Sequence, residues 1–203
     1  MERKTQTGYL LLADITGYTS FVAQTEIEHA DIALSYLLET IVEKLSDLLT
    51  ISKLEGDAVF AYVEESNLEE AKSLLELIDN TYLAFRDKAL TLFQGSTCPC
   101  RACRALPTLD LKFMVHHGDF IVQQVAGIRD LMGTDVNLIH RLLKNQVVES
   151  TGWKGYALFT NPVLDRMQLN KDSLFRRCET YEHLGDVDIY CMDMHVRYEK
   201  MRA

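Results

Sequence analysis

The sequence predicts an α+β fold in which hairpins and helices alternate and the helices pack on a largely antiparallel sheet. Two patterns carry this: short apolar runs bounded by glycine or an acid recur in pairs, and stretches with apolar residues at helical spacing separate them. The composition agrees, since 47% hydrophobic and 25% charged residues are the proportions of a core-forming soluble chain. With 203 residues, the length suits a single domain spanning 1–203.

Residues 8–15 form an apolar run that ends in a carboxylate, which reads as a buried strand. Thr16, Gly17, Tyr18, Thr19 and Ser20 read as a turn, with Gly17 allowing a tight backbone. From about Thr25 to Leu49 the spacing of Ile32, Tyr36, Leu37, Ile41, Leu45 and Leu48 predicts a helix. Residues 51–63 read as a hairpin whose turn is Glu55-Gly56-Asp57, and 67–93 as a second amphipathic helix. A Cys-rich loop follows at about 94–108. Two strands are expected around Gly118, a third helix over 134–147, and a strand that ends in a turn at Asn161-Pro162. A short helix over 163–173 and two closing strands around Gly185 complete the order.

The formal net charge of -9 and pI near 5.1 argue against nucleic acid or an anionic membrane as a partner. They leave room for a small phosphorylated ligand carried with a divalent metal. The apolar run Tyr9–Leu12 is too short for a signal peptide or a membrane span. Five cysteines, an odd number, point to reduced thiols and a cytoplasmic location.

Asp14 ends one strand and Asp57 sits at a hairpin turn. On neighbouring strands they would meet at one end of the sheet and suit a hard divalent cation with oxygen ligands. Taken alone, the two acids read more simply as a turn cap and an ordinary hairpin residue.

Their surroundings add to this. The segments 13–21, 53–63, 112–122 and 130–142 occur in the order and at distances compatible with four motifs of the class III adenylate/guanylate cyclase catalytic domain, which the chain resembles over residues 8 to about 192. The resemblance implies a ferredoxin-like βαββαβ, cyclase/palm-type sheet. It implies two Mg2+ or Mn2+ ions per site, held by Asp14, Asp57 and the carbonyl of Ile15. It implies a phosphate cradle from the amides of Thr16, Gly17, Tyr18 and Thr19. Lys53 and Asp130 match the base-selecting positions, and a lysine/aspartate pair is the adenine set. Asn137 matches the ribose-orienting residue, and Arg141 the residue that stabilises charge on the α-phosphate. These assignments imply an adenylate cyclase that takes ATP, built as a homodimer in which each site draws on both subunits.

Two departures stand beside the resemblance. The family's lysine near the last hairpin is missing from Tyr181-Glu182-His183-Leu184-Gly185-Asp186, leaving His183, Arg176, Arg177 or Arg129 as substitutes. A cyclase homologue that is weak or inactive and acts as a nucleotide-binding or signalling module is therefore the alternative. The other departure is Cys98, Cys100 and Cys103, whose C-x-C-x-x-C spacing suits structural zinc, with Cys178, His116 or His117 as fourth ligand. The simpler reading of the same residues is a reduced loop.

Overall fold

The computed structural model describes residues 4–203. The chain runs β1 (Gln6–Thr16), α1 (Tyr18–Gln24), α2 (Ile27–Leu45), β2 (Thr50–Glu55), β3 (Ala58–Glu64), α3 (Ser73–Gly95), α4 (Arg101–Ala105) and β4 (Asp110–Val125). It continues through β5 (Ile128–Met132), α5 (Thr134–Leu142), α6 (Val147–Thr151), β6 (Tyr156–Thr160), α7 (Asn161–Met167), β7 (Phe175–Tyr181), β8 (Gly185–Asp193) and α8 (Met194–Arg202). The sheet order is β2-β3-β1-β4-β6-β8-β7, with β5 paired to β4. Every pairing is antiparallel except β4 with β6. The first four strands and their helices form the expected βαββαβ unit, β1 lying between β3 and β4.

β1 is apolar on both faces because both are covered. Tyr9, Leu11, Ala13 and Ile15 enter a core shared with Leu37 and Ile41 of α2 and Ile78 and Phe85 of α3. Leu10 and Leu12 point the other way, into a core with Phe60, Met114, and Ile139 and Leu142 of α5. Each fully buried leucine contributes about 1.5–3 kcal/mol of apolar transfer, so β1 is firmly anchored on both faces.

Several elements differ from the sequence expectation. Residues 110–125 form one long strand that passes through Gly118 without turning. The glycine is there for a close approach: a Cβ on it would overlap the Asp135 carboxylate of α5. The chain reverses instead at Ala126 and Gly127, both with positive φ, and returns as β5. In α2 the buried stripe is Ala30, Ala33, Leu34, Leu37, Ile41 and Leu45, while Ile32 and Tyr36 are exposed. Small alanines let α2 approach its neighbours closely, and Tyr36 lies instead under the Lys88 ammonium. Residues 18–24 are helical, not part of a turn, and α2 begins only at Ile27. Asn161 and Pro162 open α7 rather than close a turn, proline being well suited to a first helical turn that needs no N–H. The Cys-rich loop contains α4, and the chain ends in an unexpected α8.

His116 joins the layers on the α5 side. It is buried, it contacts Thr160 Oγ1 at 2.8 Å and Asp135 Oδ1 at 3.1 Å, and Asp135 in turn accepts from the Asp119 N–H at 2.7 Å. Among the described residues no helix is long and apolar enough to cross a membrane. Gly118→Ala is expected to destabilise the fold by about 2 kcal/mol or more, through the forced displacement of Asp135. Chemical denaturation checks this, and the cost should shrink in the Asp135→Gly background.

Candidate functional site

Backbone geometry brings the two acids together. Gly56, with φ +67°, supplies the first residue of a two-residue β2–β3 turn, a conformation glycine adopts without strain. The carbonyl of the next residue, Asp57, accepts the Ile15 N–H at 3.2 Å, which pins the turn against the end of β1. Asp14 lies opposite Ala58 and Ala58 opposite Glu55, so Asp14 and Glu55 share one rung on either side of β3. Burial pushes the Asp57 carboxyl above the usual carboxylate range, and the nearby Asp14 charge pushes it further. On the other flank Lys112 reaches Asp14 at 3.2 Å. One ammonium thus faces two carboxylates, and the residual negative charge is what a divalent cation with oxygen ligands neutralises. In the turn that follows, Thr16 Oγ1 is buried without a hydrogen-bond partner, and Gly17 (φ +94°) turns the chain into α1. The donor set present here suits Mg2+ or Mn2+.

A second group lies on β2, β5 and α5. Lys53 Nζ contacts Asp130 Oδ1 at 3.0 Å and Glu55 Oε1 at 3.1 Å. Burial pulls the Lys53 ammonium down, but the two carboxylates outweigh it and leave the pKa raised. Glu55 also contacts His140 Nε2 of α5 at 3.0 Å. Asn137 and Arg141, one turn apart on the same helix, both face outward and are exposed. The structure therefore joins Lys53 to Asp130 and Asp14 to Asp57, while Asn137 and Arg141 project from the α5 surface.

The arginines offered as substitutes for the missing lysine are occupied. Arg176 pairs with Asp188, Arg177 with Glu179, and Arg129 packs on the Tyr62 ring while donating to its hydroxyl at 2.5 Å. His183 is exposed at the hairpin turn beside Glu182. Lys112 and the Glu55–His140 contact have no counterpart in the sequence reading. Lys112 had a signal: once Gly8 is set opposite Gly118, counting along the two antiparallel strands puts Lys112 opposite Asp14.

The cysteine loop gathers a different set. Cys98, Cys100, Cys103 and His29 place one ligand atom each within 4.8 Å of all the others. The fourth member is His29, from the first turn of α2. Cys178 lies instead on β7, His116 is engaged by Thr160 and Asp135, and His117 faces Glu65.

The family model described as "Protein of unknown function (DUF2652)" matches residues 34–151. The chain belongs to this family. The match spans β2 through α6, and so includes Lys53, Asp57, the cysteine loop, Asp130, Asn137 and Arg141. The DUF2652 chain is 26% identical over 166 residues to "Uncharacterized protein Rv2561/Rv2562" of Mycobacterium tuberculosis, covering 79% of this chain and 73% of that relative. Among solved structures it resembles the guanylyl cyclase Cya2 with a TM-score of 0.73 at 16% identity, over 94% of this chain and 93% of the other. It resembles the adenylyl cyclase CyaB from P. aeruginosa with a TM-score of 0.66 at 20% identity, over 94% and 95%. A bacterial light-regulated adenylyl cyclase aligns with a TM-score of 0.69 at 14% identity, over 99% of this chain and 57% of that one. The DUF2652 chain therefore has the fold of adenylyl and guanylyl cyclases.

The raised Asp57 carboxyl couples folding to pH. Its stabilising contribution is complete below the unfolded carboxylate pKa and is lost as pH rises through the higher folded value, so at neutral pH the ionised group opposes folding. Asp57→Asn is expected to raise the thermal midpoint of the metal-free chain at pH 7, with the gain shrinking toward pH 4. The same variant should lose any stabilisation by added Mn2+. Calorimetry at several pH values checks both.

Proposed function

We propose that this chain is a nucleotide cyclase that converts ATP to cyclic AMP and pyrophosphate at a homodimer interface. The observation that carries the reading is the meeting of Lys53 with Asp130, two residues far apart in sequence whose donor and acceptor complement adenine. An ammonium donates to the ring nitrogen N1, and a carboxylate accepts from the exocyclic amine. Guanine presents the reverse pattern and leaves both groups facing the wrong partner.

The ribose 3′-oxygen attacks the α-phosphorus, the bond to the bridging oxygen of the β-phosphate breaks, and pyrophosphate leaves as the hydroxyl proton passes to solvent. Asp14, Asp57 and the Ile15 carbonyl would hold the divalent ions, which supply charge that acidifies the 3′-hydroxyl and offsets the triphosphate. The amides of Thr16 to Thr19, at the Gly17 bend and the first residues of α1, cradle the terminal phosphates. Asn137 orients the ribose, and Arg141 stabilises the charge that develops on the α-phosphate. No side-chain nucleophile takes part.

The dimer has its own support. Val125, Ile128 and Met132 on the β4–β5 arm, and Leu54 on the adjoining β2, expose apolar surface. A second copy would cover this arm and bring the Asn137–Arg141 face of one subunit to the acids of the other.

A second reading, a nucleotide-binding module with little turnover, is favoured by the turn Glu182–Leu184, which carries no lysine, and by Lys112, which already neutralises part of the Asp14 charge. Incubating the chain with ATP, GTP, CTP and UTP under Mg2+ or Mn2+ separates the two. Cyclic AMP from ATP is expected, reduced about 100-fold or more by Asp57→Ala or Arg141→Ala. ATP binding without any cyclic product would establish the binding module instead.

Mixing Asp57→Ala with Arg141→Ala chains should restore one intact site per heterodimer. Full activity in a proven monomer would rule out the shared site. Lys53→Glu is expected to lower the ATP rate relative to GTP, read as the ratio of kcat/KM for the two nucleotides.

A further inference from the structure

We propose that His29, Cys98, Cys100 and Cys103 form a structural zinc site that fastens the α3–β4 connection to the start of α2. The four residues come from two segments separated by the whole of β2, β3 and α3. His29 Nδ1 stands 3.1 Å from Cys100 Sγ and 3.4 Å from Cys98 Sγ. All four ligand atoms lie within 4.8 Å of one another. Tetrahedral zinc with Zn–S of about 2.3 Å and Zn–N of about 2.0–2.1 Å requires ligand atoms roughly 3.5–3.8 Å apart, so this set needs only small adjustments to enclose an ion.

The surrounding backbone is arranged as a ligand shell. Cys100 is the N-cap of α4, and its sulfur accepts the Cys103 N–H at 3.4 Å. The Cys98 N–H donates to Ser96 Oγ at 3.2 Å, which fixes the approach to the first thiol. Glu26, just before α2, accepts the Ala102 N–H at 3.2 Å. The two segments are thus already clasped on the protein side. Three sulfurs and one imidazole are a soft, four-coordinate, closed set, which selects zinc over Mg2+ and leaves no open position for substrate. A disulfide accounts for the cluster less well, since it would use two of the three thiols and leave His29 without a role.

The site lies on a junction that packing already forms. Ala102 of α4 and Leu106 just after it are buried in the core shared with α2 and α3, and Cys100 and Ala105 pack against that core. Arg101 reaches the Gln24 carbonyl at the end of α1, the helix that follows the Asp14–Gly17 turn. A metal at His29 would add a direct tie between the start of α2 and the cysteine loop at this junction.

The test uses the full chain purified without chelator and its metal content measured. About one zinc per chain is expected, and removal should lower the thermal midpoint by several degrees. Refilling with Co2+ should give the visible absorption of a tetrahedral site together with sulfur-to-cobalt charge transfer. His29→Ala and Cys100→Ser should lose this signature, and Cys178→Ser should keep it. If His29→Ala does not fold, His29→Cys should bind one zinc and shift the cobalt spectrum toward a four-thiolate site. Failure to take up zinc or cobalt, with Cys98, Cys100 and Cys103 freely alkylated, would overturn the proposal. So would a cobalt spectrum unchanged in His29→Ala. The readout is independent of nucleotide turnover, so an inactive chain that binds zinc leaves this site standing, and an active chain without zinc removes it alone.

Discussion

Strand β1 is hydrogen-bonded on both edges, and its side chains are buried on both faces, so its register governs almost everything else in the molecule. A slip of one residue would move Leu10 and Leu12 into the space under α2 and α3 and send Leu11 toward α5. The same slip would take Asp14 off the rung it shares with Ala58 and Lys112. Core packing thereby fixes the position of a carboxylate that contributes little to the core itself. The Ile15–Asp57 backbone hydrogen bond then carries that precision across to the hairpin turn. The acids are held by main chain and by leucines, not by one another.

Much of this was legible in the sequence because it rests on local chemistry. The apolar run of β1, the hairpin turn at Gly56 and the closing hairpin around Gly185 all carry short-range signals. Where the reading failed, a distant contact had overridden the local signal. Gly118 looks like a turn, yet it answers to Asp135 across the layer, and so a single strand stands where two were expected. The helix stripe through Ile32 and Tyr36 lost to a neighbouring one through Ala30 and Ala33, because close packing rewards small residues that hydrophobicity ranks low. The pairing of Asp14 with Lys112 follows from strand register and that of Lys53 with Asp130 from the return of β5 beside β2, whereas His29 offers no spacing that links it to the cysteines. Only the packing of α2 beside α4 brings it there.

The acid pair also shows how the fold tolerates a locally unfavourable arrangement. Asp14 has a cation against it, whereas Asp57 is half-buried with Asp14 as a repulsive neighbour. Such a site is stabilised from outside, by the strands that present it, and it favours any ligand that brings positive charge. The cysteine cluster occupies the opposite position. It joins two chain segments, the start of α2 and the stretch around α4, so a ligand there would act on stability first.

The contact between Lys53 and Asp130 has a consequence for how a base would be recognised. Both side chains are more than a third exposed, which keeps the ion pair weak, on the order of 1 kcal/mol or less. A purine inserted between them would not add contacts to idle groups; it would substitute for a partner that each already has. The free energy of such an exchange is small for a base that satisfies both groups and unfavourable for one that strands either. Recognition of this kind contributes little to tightness of binding and a great deal to choice between purines. The hairpin and the arm would then meet a base with both polar ends already in place.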